Sequence, residues 1–290
     1  MSRPNAAARS PVRDAAPLFA ALGDETRLRL VARLGEADRT RGVISATTGN
    51  HGQSIAFAAT RAGVPCTMVV PVGNNPSKTA LMRAFGARVI EHGRDFDESR
   101  EYVEDLAARE GLRYVHSANE PDLIAGVGTY ALEVFEALKD VDTVLVPVGG
   151  GSGACGLITV RDALGLKTRI IGVGAERADA VARSWRTGTR VVGDSADTLA
   201  EGVATRVTFD LTFGILQHGL SDFVSLSEEE LAGGIRLALD LTHNLAEGAG
   251  AASLAAAAKC AGSLRTQRVV CVMSGGNLDL ARLRRFMNVI

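Results

Sequence analysis

A chain of 290 residues, of which 46% are hydrophobic and only 4% aromatic, is long enough to bury a large core and to form two compact units. Its 32 basic and 33 acidic residues are spread along the sequence and give a formal net charge of -1, which excludes a basic stripe for nucleic acid or a cationic face for a membrane. The four cysteines have no metal-ligand spacing, and the sequence has neither a signal core nor a run of ~18 apolar residues, so it predicts a cytoplasmic protein.

From residue 42 onward, short β-branched runs alternate with amphipathic stretches, which is typical of parallel strands joined by crossover helices. Strands are predicted over residues 43–45, 67–71, 88–91, 114–116, 143–148, 169–173, 222–225 and 269–273. Helices are predicted over residues 52–63, 76–85, 95–110, 121–139 and 231–243. Ser227 and Glu230 form a capping box before the last of these helices. The fold class is therefore α/β.

A loop of hydroxyl, amide and imidazole side chains follows the first predicted strand. It consists of Thr47, Thr48, Gly49, Asn50 and His51. Together with nearby backbone N–H groups, these side chains suit the binding of a carboxylate and a phenolic oxygen. The structural alternative is that Thr48 or Asn50 caps the following helix.

A glycine-rich turn follows the strand predicted over residues 143–148 and opens a helix. It consists of Gly149, Gly150, Gly151, Ser152 and Gly153. Backbone N–H groups at a helix start converge on an anion, and glycines let the backbone approach it closely. Taken by itself, the turn is explained equally well as a tight strand-to-helix connection. It has neither the Gly-x-Gly-x-x-Gly nor the Gly-Lys-Ser/Thr pattern of nucleotide sites.

Two further polar groups follow later elements. Ser274 ends the strand predicted over residues 269–273, at the carboxyl end where open α/β sheets bind ligands, although Ser-Gly-Gly-Asn is also simply a good turn. Glu247 precedes an alanine-rich helix, and it either delivers a carboxylate to the same crevice or begins a surface helix. His116 and His243 have no partner at a diagnostic spacing, so they are predicted to be structural or solvated.

In this order, the segments Thr-Gly-Asn-His-Gly, Gly-Gly-Gly-Ser-Gly, Glu-Gly-Ala-Gly and Ser-Gly-Gly-Asn resemble those of the fold type II pyridoxal-phosphate enzymes. Within that tryptophan synthase beta-like superfamily, they resemble the threonine/serine dehydratase and serine racemase family. Residues 124–129, with Leu132 and Glu133, look like that family's helix after the small domain. The resemblance runs from Leu30 to the C-terminus, and four ordered motifs are far more specific than any single one.

The resemblance implies two open, twisted, mainly parallel sheets with helices on both faces and the cofactor between them. It implies a small domain over residues 42–118 and a large domain over residues 24–41 and 119–290. It places the cofactor phosphate on residues 149–153, the phenolic oxygen near Asn50 and the pyridine nitrogen at Ser274.

The same resemblance implies a reaction. Residues 47–51 would bind the substrate carboxylate, and Thr48 takes the position of a candidate acid/base group. A neutral serine at the pyridine nitrogen suits β-elimination better than transamination. The implied reaction is the dehydration and deamination of serine or threonine to a 2-oxo acid and ammonia. Dimers are common in the family, so a homodimer is an expectation of the resemblance alone.

The chain departs from the family pattern at the lysine that holds the cofactor as a Schiff base. The ungapped register puts that lysine on Gly23. The chain's lysines are Lys78, Lys139, Lys167 and Lys259. Lys78 is predicted in a small-domain helix and the others at exposed helix ends, so none is expected to substitute. Without this amine we expect normal turnover to fail and the cofactor to be held non-covalently at best.

The N-terminus departs as well. Residues 1–23 form an atypical segment, of which residues 1–17 are predicted to be disordered. The first strands of the large domain are predicted to be missing. Residues 18–30 look like the opening helices of arsenic-sensor winged-helix repressors, or are simply an amphipathic helix, which indicates a junction over residues 25–35. No DNA binding is inferred.

A cation site found in some relatives is not expected, because its acidic positions fall on Gly174 and Ala180. Two alternatives to an active lyase remain. One is a non-catalytic homologue or partner subunit that binds pyridoxal phosphate or another phosphate ligand. The other is an unstable truncation with an unpaired sheet edge.

Overall fold

The computed structural model describes residue 31 and residues 33–287, and within them two four-stranded sheets are formed. The strands are Val43–Ala46 (β1), Cys66–Val70 (β2), Arg88–Glu91 (β3), Arg113–Tyr114 (β4), Thr143–Pro147 (β5), Arg169–Ala175 (β6), Asp222–Leu226 (β7) and Val269–Cys271 (β8). The helices are Glu36–Arg41 (α1), Asn50–Ala62 (α2), Pro76–Ala84 (α3), Phe96–Glu110 (α4), Pro121–Ala137 (α5), Ser152–Ala163 (α6), Ala180–Thr187 (α7), Asp210–Gly219 (α8), Glu228–Thr242 (α9), Gly248–Lys259 (α10), Ala261–Leu264 (α11) and Leu280–Met287 (α12). Short 3₁₀ turns occupy Glu176–Ala178 and Glu201–Val203.

Each strand predicted from the sequence is present within a few residues of its predicted position, and the α/β class is confirmed. The predictions about residues 1–17, residues 18–30, Gly23 and the missing first strands of the large domain lie outside the described residues. The first strand within them is β1.

All strand pairs in both sheets are parallel, and the two sheets have the same topology. Their strand orders are β3-β2-β1-β4 and β7-β6-β5-β8. The chain therefore moves outward from β1 or β5 in one direction and then crosses to the other side. The crevice at such a reversal lies at the carboxyl ends of the central strands, where open α/β sheets bind ligands. The loops after β1, β5 and β8 are the ones that carry the predicted motifs.

The strands of the second sheet have apolar side chains on both faces, as buried parallel strands do. In β5, Val144 and Val146 pack into the core on one face, and Leu145 packs into the core on the other. All three are at most 1% exposed. This burial fixes the direction of β5 and therefore the position of the glycine-rich turn that follows it.

Local capping sets several of the helix starts. The Asn75 side chain accepts hydrogen bonds from the N–H groups of Ser77 and Lys78, and Pro76 occupies the first turn of α3. At α9, Ser227 and Glu230 form both hydrogen bonds of the predicted capping box. Within the part of the chain that the structure describes, no helix is both long and apolar enough to traverse a bilayer.

Candidate active site at the carboxyl ends of the strands

The loop between β1 and α2 is held together by the Thr47 hydroxyl. Thr47 is buried, and its Oγ1 accepts hydrogen bonds from the N–H groups of Gly49 at 3.0 Å and Gly52 at 3.1 Å. The N-cap residue of α2 is Gly49, which makes no side-chain capping bond. The helix caps predicted for Thr48 or Asn50 are therefore wrong, because the preceding threonine satisfies the helix start instead.

The other members of this predicted carboxylate-binding loop differ in whether their side chains are hydrogen-bonded. Thr48 is half-buried, and its hydroxyl makes no hydrogen bond to another described residue. The His51 Nε2 atom lies 3.0 Å from the buried Ser45 Oγ, which holds the ring against β1. Thr47 thus shapes the loop.

The Asn50 amide is fixed by side chains distant in sequence. Its Nδ2 donates to Glu247 Oε1 at 2.6 Å, and its Oδ1 accepts from Asn277 Nδ2 at 2.7 Å. Asn277 Nδ2 also donates to Gln53 Oε1 at 3.1 Å. A carboxylate on one side and an amide N–H on the other leave one orientation for the Asn50 side chain.

Glu247 is 5% exposed, immediately before α10. The interpretation of Glu247 as the start of a surface helix is therefore wrong, because its carboxylate is buried and contacts Asn50 and Lys78. The backbone on this side is also close-packed, because a Cβ on Gly275 would lie 2.4 Å from Glu247 Oε1 and 2.6 Å from Asn50 Nδ2. Gly275 thus brings the turn after β8, and with it the exposed Ser274, next to the Asn50 amide.

Lys78 is the lysine at this site. It is 5% exposed, and its Nζ donates to Glu247 Oε2 at 2.8 Å and to Glu201 Oε2 at 2.9 Å. Burial lowers the pKa of Lys78, but Coulombic attraction and hydrogen bonds from the two carboxylates outweigh it and raise the pKa overall. The amine is therefore protonated at neutral pH and is not a nucleophile.

The position of Lys78 was not anticipated from the sequence, which placed it only in a helix of the small domain. The available indication was that α3 begins just after β2, so that its first turn lies at the same sheet edge as Asn50. Lys139, Lys167 and Lys259 are exposed, as predicted.

The glycine-rich turn is shaped mainly by close packing. A Cβ on Gly149 would lie 2.3 Å from the Gly202 carbonyl oxygen, and one on Gly150 would lie 2.7 Å from the Ala118 Cβ. Gly151 has φ +96°, a left-handed conformation that favours glycine. Only the Cβ position of Gly153 faces open space among these glycines. Three of the four glycines therefore serve the tight turn, and one leaves room for a ligand.

The turn also has the donors that an anion needs. Helix α6 begins at Ser152, and its N-cap, Gly151, makes no side-chain capping bond. In residues 33–287, no turn or loop hydrogen bond is donated by the N–H groups of Gly149, Gly150 or Gly151. Free N–H groups at the positive end of a helix form an anion-binding site.

The 3₁₀ turn Glu201–Val203 connects the two halves of the site. The Gly202 carbonyl packs under Gly149, and the preceding residue, Glu201, accepts a hydrogen bond from Lys78. The glycine-rich turn, the Asn50 amide and the turn containing Ser274 are therefore neighbours at one edge of the two sheets. At one end of the site are backbone N–H groups that donate no turn or loop hydrogen bond in residues 33–287. At the other end is a set of charged side chains.

Two histidines lie outside this arrangement. The His116 Nδ1 accepts from the N–H groups of Ala118 and Asn119, and burial, with a contribution from Arg100, lowers the pKa of His116 to about 4. His116 is therefore structural, as predicted, and His243 is exposed. Within the described residues, no group of three or more histidine, cysteine or acidic side chains is arranged for a metal ion.

Two parallel four-stranded sheets of the same topology, with a glycine-rich helix start and an oriented asparagine at the carboxyl ends of their strands, match the fold type II pyridoxal-phosphate enzymes. The chain belongs to the family described as pyridoxal-phosphate dependent enzyme, which it matches over residues 20–275. The predicted family and its cofactor, pyridoxal phosphate, are thereby confirmed.

Within that family the chain is similar to threonine ammonia-lyases. It is 37% identical to the L-threonine ammonia-lyase of Thermotoga maritima over 89% of this chain and 64% of that protein, so it spans less than two thirds of that relative. It is 33% identical to the catabolic L-threonine dehydratase TdcB of Staphylococcus aureus, over 87% of this chain and 74% of that one. The solved structure of processed threonine deaminase isoform 2 from Solanum lycopersicum superposes with a TM-score of 0.84 at 29% identity, covering 97% of this chain and 90% of that one.

The described residues fit pyridoxal phosphate in part. The free N–H groups of the glycine-rich turn and the open space at Gly153 suit its phosphate, and the Asn50 amide keeps a second N–H for an oxygen acceptor. Among the described residues, the lysine at the site provides no uncharged amine for a covalent bond, because Lys78 is bound as an ammonium between two carboxylates.

Proposed function

We propose that this chain binds pyridoxal phosphate non-covalently in a site of the threonine/serine ammonia-lyase type. The observation that carries the proposal is the meeting of the glycine-rich turn, the Asn50 amide and the Ser274 turn at one edge of the two sheets. These segments lie up to 227 residues apart, as the contact of Asn50 with Asn277 shows.

In this proposal the turn over residues 149–153 holds the phosphate through its backbone donors. The second N–H of the Asn50 amide donates to the phenolic oxygen, and Ser274 faces the pyridine nitrogen. When bound, pyridoxal phosphate supplies an electron sink for the bond changes at the α- and β-carbons of an amino acid. The residues of the chain hold and orient it.

The substrate in this proposal is a small hydroxy amino acid such as serine or threonine. Its carboxylate lies at the positive end of α2, where the loop over residues 47–51 begins the helix. The Thr47 hydroxyl and the Gly49 N–H bind each other, and the second N–H of the Asn50 amide is assigned to the phenolic oxygen. We therefore assign the Thr48 hydroxyl to the substrate. The Thr48 hydroxyl is the candidate group for proton transfer to or from the substrate.

We propose that β-elimination to a 2-oxo acid and ammonia is strongly impaired. The family's Schiff-base lysine falls on Gly23, and the lysine that the structure brings to the site is protonated and paired. The same observation favours the second candidate function, a non-catalytic homologue or partner subunit that binds pyridoxal phosphate or a related phosphate ligand.

Spectroscopic titration of the purified chain with pyridoxal phosphate tests the binding proposal. We expect saturable binding that is reversed by dialysis and leaves no lysine adduct after borohydride reduction and peptide mass spectrometry. Gly153→Val serves as the blocked-site variant, since its side chain fills the open space at the turn. Equal binding by both proteins, or no binding by either, contradicts the proposed site.

Ammonia and 2-oxo acid assays with serine and threonine separate the two candidate functions. Slow release that is abolished by Thr48→Val supports a lyase, whereas release no faster than from free pyridoxal phosphate supports the binding protein. Gly23→Lys tests the register. A borohydride-trapped adduct on the new lysine supports it, and an adduct-free protein that still binds the cofactor contradicts it.

We further propose a cytoplasmic location, a homodimer, and a division into residues 1–23, 42–118, and 24–41 with 119–290. The two sheets, centred on β1 and β5, support the division. The four cysteines are unpaired thiols, which suits a reducing compartment. Light scattering of the purified chain tests the dimer.

A further inference from the structure

One buried lysine joins the two halves of the site. Lys78 lies in the first turn of α3, in the part of the chain built on the first sheet. The two carboxylates that accept its hydrogen bonds, Glu201 and Glu247, follow strands of the second sheet. The Lys78 and Glu247 side chains are 6% and 7% exposed, so their charges are withdrawn from water and depend on each other.

The lysine reaches this position because Gly49 has no side chain. A Cβ on Gly49 would lie 2.4 Å from the Lys78 Cδ and 3.2 Å from its Nζ. The stem of the lysine therefore passes directly against the backbone that begins α2, one residue before Asn50. Because of this close approach, the position of the Lys78 ammonium depends on the position of the first residues of α2, which carries Asn50.

The two oxygens of Glu247 have separate tasks. Oε2 accepts from Lys78, and Oε1 accepts from Asn50 Nδ2. We propose that Lys78 is a positioning residue that holds the Glu247 carboxylate in place, so that Glu247 in turn fixes the Asn50 amide toward the cofactor. The inference rests on the proposed function, because it assigns Asn50 to pyridoxal phosphate.

The surrounding charges make Glu247 the residue that depends on Lys78. Glu201 also pairs with Arg282 of α12, which in turn contacts Asp279. Among the described residues, Glu247 has no ion pair other than the one with Lys78. Removing the lysine therefore leaves Glu201 with a cation and leaves Glu247 as a buried carboxylate without one.

A buried carboxylate that loses its cation is no longer held in one position by an ion pair. The Asn50 amide then loses the partner that fixes its orientation. Loss of Lys78 should therefore weaken cofactor binding through Glu247, so the effect of the lysine should disappear when Glu247 has already been replaced.

The test compares Lys78→Met with the wild-type chain, with Lys78→Arg and with Lys139→Met, a control at an exposed lysine. The dissociation constant for pyridoxal phosphate is measured for each protein and expressed as a ratio to the wild-type value. We expect Lys78→Met to bind about 10- to 100-fold more weakly, the range found when a group that orients a metal-ligating side chain is removed.

Lys78→Arg and Lys139→Met should stay within about threefold of wild type, since the first keeps the cation and the second lies in solvent. The double variant Lys78→Met/Glu247→Gln should bind no more weakly than Glu247→Gln alone, because the lysine acts through that carboxylate. Wild-type binding together with a ratio near one for Lys78→Met, or with equal weakening by Lys78→Met in both backgrounds, overturns the inference and leaves the proposed function intact. Absence of wild-type binding overturns both.

Discussion

The two ends of the site are built in opposite ways. The glycine-rich end consists of backbone, and its donors at Gly149, Gly150 and Gly151 bind no loop partner in residues 33–287. The amide end consists of side chains, and Asn50, Lys78 and Glu247 hold one another with short hydrogen bonds. The glycine-rich end depends on the absence of side chains at its glycines. The amide end depends on side chains that segments distant in sequence contribute. The difference teaches that substitutions should act sterically at one end and electrostatically at the other.

The largest effect is expected at the amide end. Glu247→Gln keeps the shape of the side chain but removes the charge that faces Lys78. Because breaking a buried ion pair leaves one group without its partner, we expect the free energy of unfolding to fall by about 3 kcal/mol. Urea unfolding measures it.

The matched control is Glu229→Ala, an exposed glutamate of α9, for which a change of less than about 0.5 kcal/mol is expected. Equal losses for the two variants would show that the amide end does not depend on charge.

Behind the glycine-rich end, His116 should make stability depend on acid. Its folded pKa of about 4 lies below its ordinary value of 6.5, so the neutral ring stabilises the fold above pH 6.5. This stabilisation is lost as pH falls from 6.5 to about 4, because the unfolded chain takes up the proton first. At about 1.36 kcal/mol per pH unit, the loss is on the order of 3 kcal/mol.

His116→Asn tests this prediction, because its Oδ1 can accept from the same two N–H groups and does not titrate. The variant should show a shallower loss of stability in chemical unfolding series between pH 7 and pH 4. Parallel profiles for the variant and the wild type would assign the acid sensitivity to other groups.

Two alanine substitutions compare steric effects within the glycine-rich end itself. Gly149→Ala puts a methyl group 2.3 Å from the Gly202 carbonyl oxygen, and we expect a loss of about 1–3 kcal/mol in the free energy of unfolding. Gly153→Ala meets no atom within 4 Å and lies in the first turn of α6, so it should change stability by less than about 1 kcal/mol.

Thermal and urea unfolding of both variants measure these changes. A destabilised Gly153→Ala beside an unaffected Gly149→Ala would mean that the turn packs differently from the arrangement described.

The smallest expected effect lies outside both ends and gives the scale of a purely local interaction. Ser227→Ala removes one half of the capping box of α9 and should cost about 1 kcal/mol in the free energy of unfolding. If Ser227→Ala lowered the free energy of unfolding as much as Glu247→Gln does, local and long-range contacts would not differ in their contribution to stability.

The sequence was a good guide to the fold because its indications are local. β-branched runs and helix caps, such as Ser227 with Glu230, depend on neighbouring residues, and they predicted the parallel α/β architecture. The glycine-rich turn was predictable for the same reason, although its glycines serve packing more than the sequence indicated. The helix caps predicted at Thr48 or Asn50 were wrong, because several residue types at one helix start offer alternative hydrogen bonds.

By itself, the sequence determined the family, the order of the elements and the motifs that meet at the carboxyl ends of the strands. Only the tertiary structure decided that Glu247 is buried, that Lys78 enters the site and that one carboxylate serves both Lys78 and Asn50. The reason is physical. Secondary structure follows from short-range sterics and hydrophobic periodicity, whereas a buried ion pair exists only where folding brings opposite charges together and removes them from water.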